Sequence, residues 1–79
     1  DLQSITLQIP IENVQPDLID SLTEMTQQYP GNTPLHIQIF DNIKQNVITF
    51  NATPIQLNHT FYNWLKELQT DESLQYKVN

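Results

Sequence analysis

Two histidines, two aspartates at a helix start and three serines are the side chains whose types invite a search for chemistry. His36 and His59 are the only imidazoles, and neither has an acid or a second histidine at metal-ligand spacing. A structural zinc site takes four ligands, so the pattern offers no metal site. His36 falls on the polar parity of an alternating stretch, and His59 falls in the first turn of a helix. Both read as surface residues. Asp17 and Asp20 are close enough in sequence to suggest a carboxylate pair, but acids at a helix start are fully explained by the positive end of the helix dipole. Ser4, Ser21 and Ser73 lack a glycine-framed nucleophile elbow. The chain has one glycine, so no glycine-rich loop exists to cradle a phosphate. It has no cysteine, which excludes thiol chemistry and disulfide staples. Asn51-Ala52-Thr53 and Asn58-His59-Thr60 match the glycosylation pattern. The first runs into Pro54, and Asn58 already suits a helix cap. The residues thus argue for no enzyme, no metal and no cofactor.

Charge narrows the partners. Nine acids stand against three lysines and no arginine, a formal net charge of -6 over 79 residues. Nucleic-acid binders neutralise phosphates with Lys and Arg. Lys44, Lys66 and Lys77 are too few and too scattered to form a basic stripe, so direct DNA or RNA binding is not expected. An anionic membrane surface is disfavoured on the same ground, and no long apolar run or signal segment is present. The absence of cysteine fits a reducing compartment, and a cytoplasmic location is expected. Gln, Asn and Thr are abundant but alternate with Ile and Leu, as on the solvated face of a folded domain and not as in a low-complexity tract. The length allows a single domain spanning 1–79. Its first residue is Asp1 and its ending has the look of a natural C-terminus, so the chain is expected to be the C-terminal fragment of a larger protein.

The elements that would position these residues divide at Tyr29-Pro30-Gly31-Asn32-Thr33-Pro34. Ahead of it Leu18, Leu22, Met25 and Tyr29 recur at helical spacing, with Ile19 widening the stripe. Behind it Leu35, Ile37 and Ile39 recur at strand spacing. Pro30 withholds a donor, and Gly31 accepts the left-handed conformation that commonly ends a helix, so the pair forms a structural turn. Before the first helix, Ser4-Ile5-Thr6-Leu7-Gln8-Ile9 alternates as a strand, which Pro10 should end near Ile9 or allow to continue only as an edge. Residues 11–15 form a connector. Pro16 suits the first helical position, and the helix should run over 16–28. Residues 35–40 and 47–50 read as two strands joined by a loop of about five residues, with Ile48 and Phe50 facing the core. Val47 leaves that register ambiguous. Asn58 caps a second helix bearing Phe61, Trp64, Leu65 and Leu68, with Leu57 and Tyr62 as its staple. Leu74, Tyr76 and Val78 alternate as a terminal strand.

The order is β-α-β-β-α-β. Alternation within each strand implies one wet face, with both helices on the other. An α+β two-layer sandwich follows, its sheet mostly antiparallel, of the split β-α-β, ferredoxin-like or similar kind. A ribonucleoprotein-type domain shares this order but needs aromatics flanked by basic residues. Val47-Ile48-Thr49-Phe50 offers one aromatic and no base nearby.

From Leu18 onward the layout resembles the extreme C-terminal domain of bacterial DNA polymerase III alpha subunits. The likeness lies in the Leu-rich helix closing on Tyr29-Pro30-Gly31-Asn32-Thr33-Pro34-Leu35, the alternating strand, a polar hairpin loop and a Val/Ile strand. It ends with Ile55-Gln56-Leu57-Asn58 leading into a helix with Trp64-Leu65, and covers residues 18–75. The resemblance implies a non-catalytic protein-interaction module of a DNA-directed DNA polymerase, a nucleotidyltransferase. It would contact the tau subunit of the clamp loader during DNA replication. Family members often carry basic residues along the hairpin, whereas this chain has only Lys44 there. The alternative is a ferredoxin-like small-molecule-sensing or regulatory module. Such modules place a glycine-bearing loop after the first strand, and residues 10–15 contain none, so no small molecule is expected. A third reading is a structural cap without a partner.

For a protein contact, Tyr62 and Tyr76 are the partner-binding candidates. Tyr62 stands about 100° from Phe61 around the helix, at the edge of its core face. Tyrosine buries a large area while keeping its hydroxyl wet, which suits an interface anchor. The competing reading makes Tyr62 a staple and Tyr76 core.

The charge argument has a direct test in a gel-retardation assay at physiological salt. The chain should leave single- and double-stranded DNA unshifted, having few cations with which to release counterions. Micromolar binding that weakens steeply with added salt would overturn it.

Overall fold

The protein, described by a computed structural model over residues 3–79, folds as β1 (Ile5–Pro10), α1 (Pro16–Gln28), β2 (Pro30–Asp41), β3 (Asn46–Ile55), α2 (His59–Thr70) and β4 (Gln75–Val78), with a 3-10 turn at Ile11–Asn13. The four strands form one sheet in the order β3-β2-β1-β4. β1 runs parallel to β2 and antiparallel to β4, and β2 runs antiparallel to β3. The α+β sandwich and its mostly antiparallel sheet are as expected. The connection is not the split one, because β2 lies directly beside β1 and no strand is inserted between them. The physical reason is the long β2, whose residues pair with β1 along one side and with β3 along the other.

Register puts one apolar face together. Ile5, Leu7 and Ile9 of β1 pair with Leu35, Ile37 and Ile39 of β2. All of these except Ile39 form the core with Ile55, Phe61, Leu65 and Leu74, to which Ile39, Leu18, Leu22, Met25, Trp64 and Tyr76 add partly buried surface. α2 is the well-seated helix. The Asn58 side chain accepts from the Phe61 N–H at 2.8 Å, which caps the first turn. Phe61 is fully buried, with Tyr29 edge-on at 6.5 Å and Trp64 at 5.4 Å. A phenylalanine removed from water to this extent contributes roughly 1.5–3 kcal/mol. α2 ends where Glu72 takes a positive φ of 61° and the Ser73 N–H reaches back to the Leu68 carbonyl at 2.9 Å, a C-terminal cap of the Schellman kind. The Asn13 amide donates to the Ser73 carbonyl at 3.0 Å and to that of Glu72 at 3.3 Å. It ties the first connector to this turn.

α1 occupies the span its periodicity indicated, yet none of its residues is fully buried. Leu18, Leu22 and Met25 are only half-buried over the sheet.

The Pro30-Gly31 turn works differently from its sequence reading. Tyr29 closes α1 at φ -124° and no glycine has positive φ, so Gly31 is not there for a left-handed conformation. It lies at the start of β2, in a stretch where pairing with β3 shifts register, Pro30 and Thr33 both facing Ile55. A Cβ built on Gly31 would stand 2.6 Å from the Gln56 nitrogen and 2.7 Å from Gln56 Cα and the Ile55 carbonyl carbon. The Gln56 N–H donates to the Tyr29 carbonyl at 2.7 Å, which clamps the two backbones together. Glycine is required here for close backbone approach. Gly31→Ala should therefore destabilise by about 1–3 kcal/mol through overpacking. Urea midpoints of both proteins check this, and an unchanged midpoint would show the contact to be slack.

Candidate functional site

The groups with capacity for chemistry do not converge. His36 lies on the uncovered face of the sheet, where its Nδ1 meets Asn51 Oδ1 at 2.6 Å. Asn51, one of the two glycosylation-pattern asparagines, is thereby held by β2. His59 sits exposed in the first turn of α2, and Asp17 and Asp20 are exposed on α1. Among the described residues no group of three or more His, Cys, Asp or Glu side chains is arranged to hold a metal ion. No helix among them is long and apolar enough to cross a membrane.

The uncovered face is a polar ladder. Thr6, Gln8, His36, Gln38, Thr49, Asn51, Gln75 and Lys77 share one parity of the pairing register. Gln8 Nε2 donates to Gln38 Oε1 at 3.2 Å, and Asn79 Nδ2 donates to Thr6 Oγ1 at 2.9 Å. Phe40, opposite Val47, shares this parity at the hairpin end, and amides and hydroxyls make up most of the rest of the face.

Tyr62 and Tyr76, the two tyrosine candidates from sequence, are brought together. β4 pairs with β1 so that Tyr76 stands opposite Leu7, on the helix side of the sheet. Its ring meets that of Tyr62 edge-on, with centroids 5.8 Å apart and planes at 85°. Lys66 Nζ lies 4.8 Å from the Tyr62 ring centre, within cation–π range. Leu57 is only half-buried beside the core, and the aromatic partner the fold gives Tyr62 is Tyr76. Both tyrosines are half-buried, so the pair forms a firm aromatic edge where α2 crosses β4. A shallow depression lined by Leu57, Asn58, His59, Tyr62, Asn63 and Lys66 adjoins it.

A second surface escaped the sequence reading. Ile48 and Phe50 do pair with Ile39 and Ile37, on the core parity as expected. They nevertheless remain 62% and 45% exposed. Between α1 and the sheet runs an open apolar groove of about 310 Å³ whose walls include Leu18, Ile19 and Leu22 on one side and Ile39, Phe50 and Ala52 on the other. The signal was present in Ile19 and in Val47-Ile48-Thr49-Phe50. Both carry more apolar residues than one buried face requires.

A family model described as the DNA polymerase III alpha subunit, C-terminal domain, matches residues 5–79. That span takes in all six helices and strands. No individual curated protein gives a match.

The tyrosine pair has a pH signature. Burial pushes the Tyr76 phenol above its ordinary value, and the neighbouring Tyr62 phenol pushes it further. A phenol raised in the folded state adds stability that is present below the unfolded value of about 10 and is lost as pH climbs through the folded value. Urea midpoints should therefore fall from about pH 9 to about pH 11, and fall less steeply in Tyr76→Phe. Equal slopes for the two proteins would remove Tyr76 as a source of the loss.

Proposed function

The chain belongs to the family of DNA polymerase III alpha C-terminal domains, and from that premise we propose that it is a non-catalytic docking domain of the replicative polymerase. Its partner in this reading is the tau subunit of the clamp loader, and its role is to couple polymerase to clamp loader in the cytoplasm. The observation that carries the reading is the Tyr62–Tyr76 pair at the α2–β4 edge. Two rings locked edge-on, with Lys66 against one of them, present apolar area already fixed in one conformation. Ordering cost on binding is correspondingly small, which is the property of an interface anchor. The scattered placement of His36, His59, Asp17 and Asp20 supports a binding role over a catalytic one, and the net charge of -6 supports a protein partner over DNA.

Calorimetric titration with tau tests the proposal. Tyr62→Ala should weaken binding by at least about 1 kcal/mol, while circular dichroism and the urea midpoint show the fold retained. Absence of binding by the folded wild-type chain would remove tau as the partner and leave the structural cap as the better reading.

A further inference from the structure

The stripe of α2 that carries Tyr62 does not stop at the tyrosine pair. Tyr62, Lys66 and Gln69 follow one another at spacings of four and three residues, which sets them on one face of the helix. Gln69 therefore lies about 10 Å further along the axis than Tyr62. Its Oε1 accepts from the Tyr76 N–H at 3.3 Å, so the residue that continues the stripe is fastened to the docking pair. Gln69 is also a wall of an open cavity of about 610 Å³ where α2 ends and β4 begins.

The chemistry of that cavity follows from the side chains it gathers. Gln8 and Gln75, partners in the β1–β4 ladder, line it together with Gln69 and Glu72. Pro10 and Phe40, partners in the β1–β2 ladder, add apolar surface. Gln8 uses its Nε2 to donate to Gln38 Oε1 at 3.2 Å, which leaves its own amide oxygen to accept. An ionised carboxylate such as that of Glu72 only accepts. No lysine or histidine is among the described lining residues. Lys66 is turned back over the Tyr62 ring, with Nζ 4.8 Å from the ring centre. α2 brings the negative end of its dipole to this place, and its last turn has no basic residue. The cavity is thus rich in acceptors and negative in potential, within a chain of net charge -6.

That combination selects a planar cation. A guanidinium carries five N–H donors and no acceptor. It is less strongly hydrated than an ammonium and stacks on aromatic faces, and its aliphatic stem suits the surface of Pro10 and Phe40. An anionic group would be repelled by Glu72 and by the end of the helix. A neutral apolar group would strip water from the amides and the carboxylate without replacing it.

We propose that this cavity is the second half of the docking surface and receives an arginine side chain of the protein partner. The inference rests on the docking reading above and adds to it the chemistry of the bound segment. An apolar or aromatic residue meets Tyr62 and Tyr76, and the arginine follows about 10 Å away, the reach of about three residues of extended chain.

Titration of the chain with N-acetyl-arginine amide, followed by nuclear magnetic resonance, tests the cavity without tau. Shifts should saturate and centre on Gln8, Phe40, Gln69, Glu72 and Gln75. The citrulline analogue, similar in shape and uncharged, should bind about threefold more weakly, and Glu72→Gln should weaken arginine binding by a similar factor. An unchanged urea midpoint verifies the fold of that variant. Shifts that are absent, equal for citrulline, or spread evenly over the carboxylates of α1 would overturn the proposal. In the calorimetric titration with tau, Glu72→Gln should weaken binding about fivefold and flatten its dependence on salt. Tau binding that is sensitive to Tyr62→Ala and indifferent to Glu72→Gln would overturn the cavity's role and leave the tyrosine anchor in place. Saturable arginine binding with no binding of tau would uphold the arginine site and remove tau as the partner.

Discussion

The parallel pairing of β1 with β2 is the constraint from which the rest of this structure follows. It stacks Ile5, Leu7 and Ile9 against Leu35, Ile37 and Ile39 on one face, and that layer is stable only beneath a roof. Parallel neighbours also require a crossover, which α1 supplies. One helix cannot cover four strands, since strands lie about 4.8 Å apart and a helix is only about 10–12 Å across. α2 takes the β1–β4 side and buries Phe61 and Leu65 completely. α1 takes what remains and meets β3 without covering Ile48 and Phe50. The groove and the exposed Phe50 are consequences of the width of the sheet relative to its two helices.

How far this was legible in the residues depends on whether the signal was local. Pro16 and Asn58 act within one turn of where they stand, and both helix starts lie where those residues placed them. The same holds for the strand parity that put Ile37 inside and His36 outside. Gly31 was located correctly as a pivot but for the wrong reason. Its requirement comes from the Gln56 backbone, some twenty-five residues away in sequence, and no local rule reports such an approach. Strand order failed for the same reason. β-α-β-β-α-β is compatible with the third strand or the second lying beside the first, and only the long two-sided pairing of β2 decides between them.

The candidate sites divide in a similar way. Tyr62 was legible as a residue at the margin of a helical stripe. Its meeting with Tyr76 was not, because it depends on β4 pairing antiparallel to β1 in a register that places Tyr76 opposite Leu7. For β3 the parity was right and the burial wrong. Alternation reports which way a side chain points and says nothing of whether anything stands above it. The apolar excess of Val47-Ile48-Thr49-Phe50 is therefore better taken as a statement about an edge than as an ambiguity of register.

The two edges of the sheet are mechanically coupled. They are joined through β2 and β1 by paired strands whose core side chains are mostly buried, so the spacing between them is set by the sheet. A load applied between the β3 edge and the α2–β4 edge would run across the hydrogen bonds of β2 with β1 and of β1 with β4. The weakest link along that line is the β1–β4 ladder, which pairs only four residues on each strand. Aromatic contact between Tyr62 and Tyr76 bridges that ladder from the helix layer, as Asn79 does from the open face through Thr6. The tyrosine pair thus has a structural task independent of any partner. Because the same pair fastens the terminal strand, any contact made on it would stiffen the edge of the sheet that is least secured by its backbone.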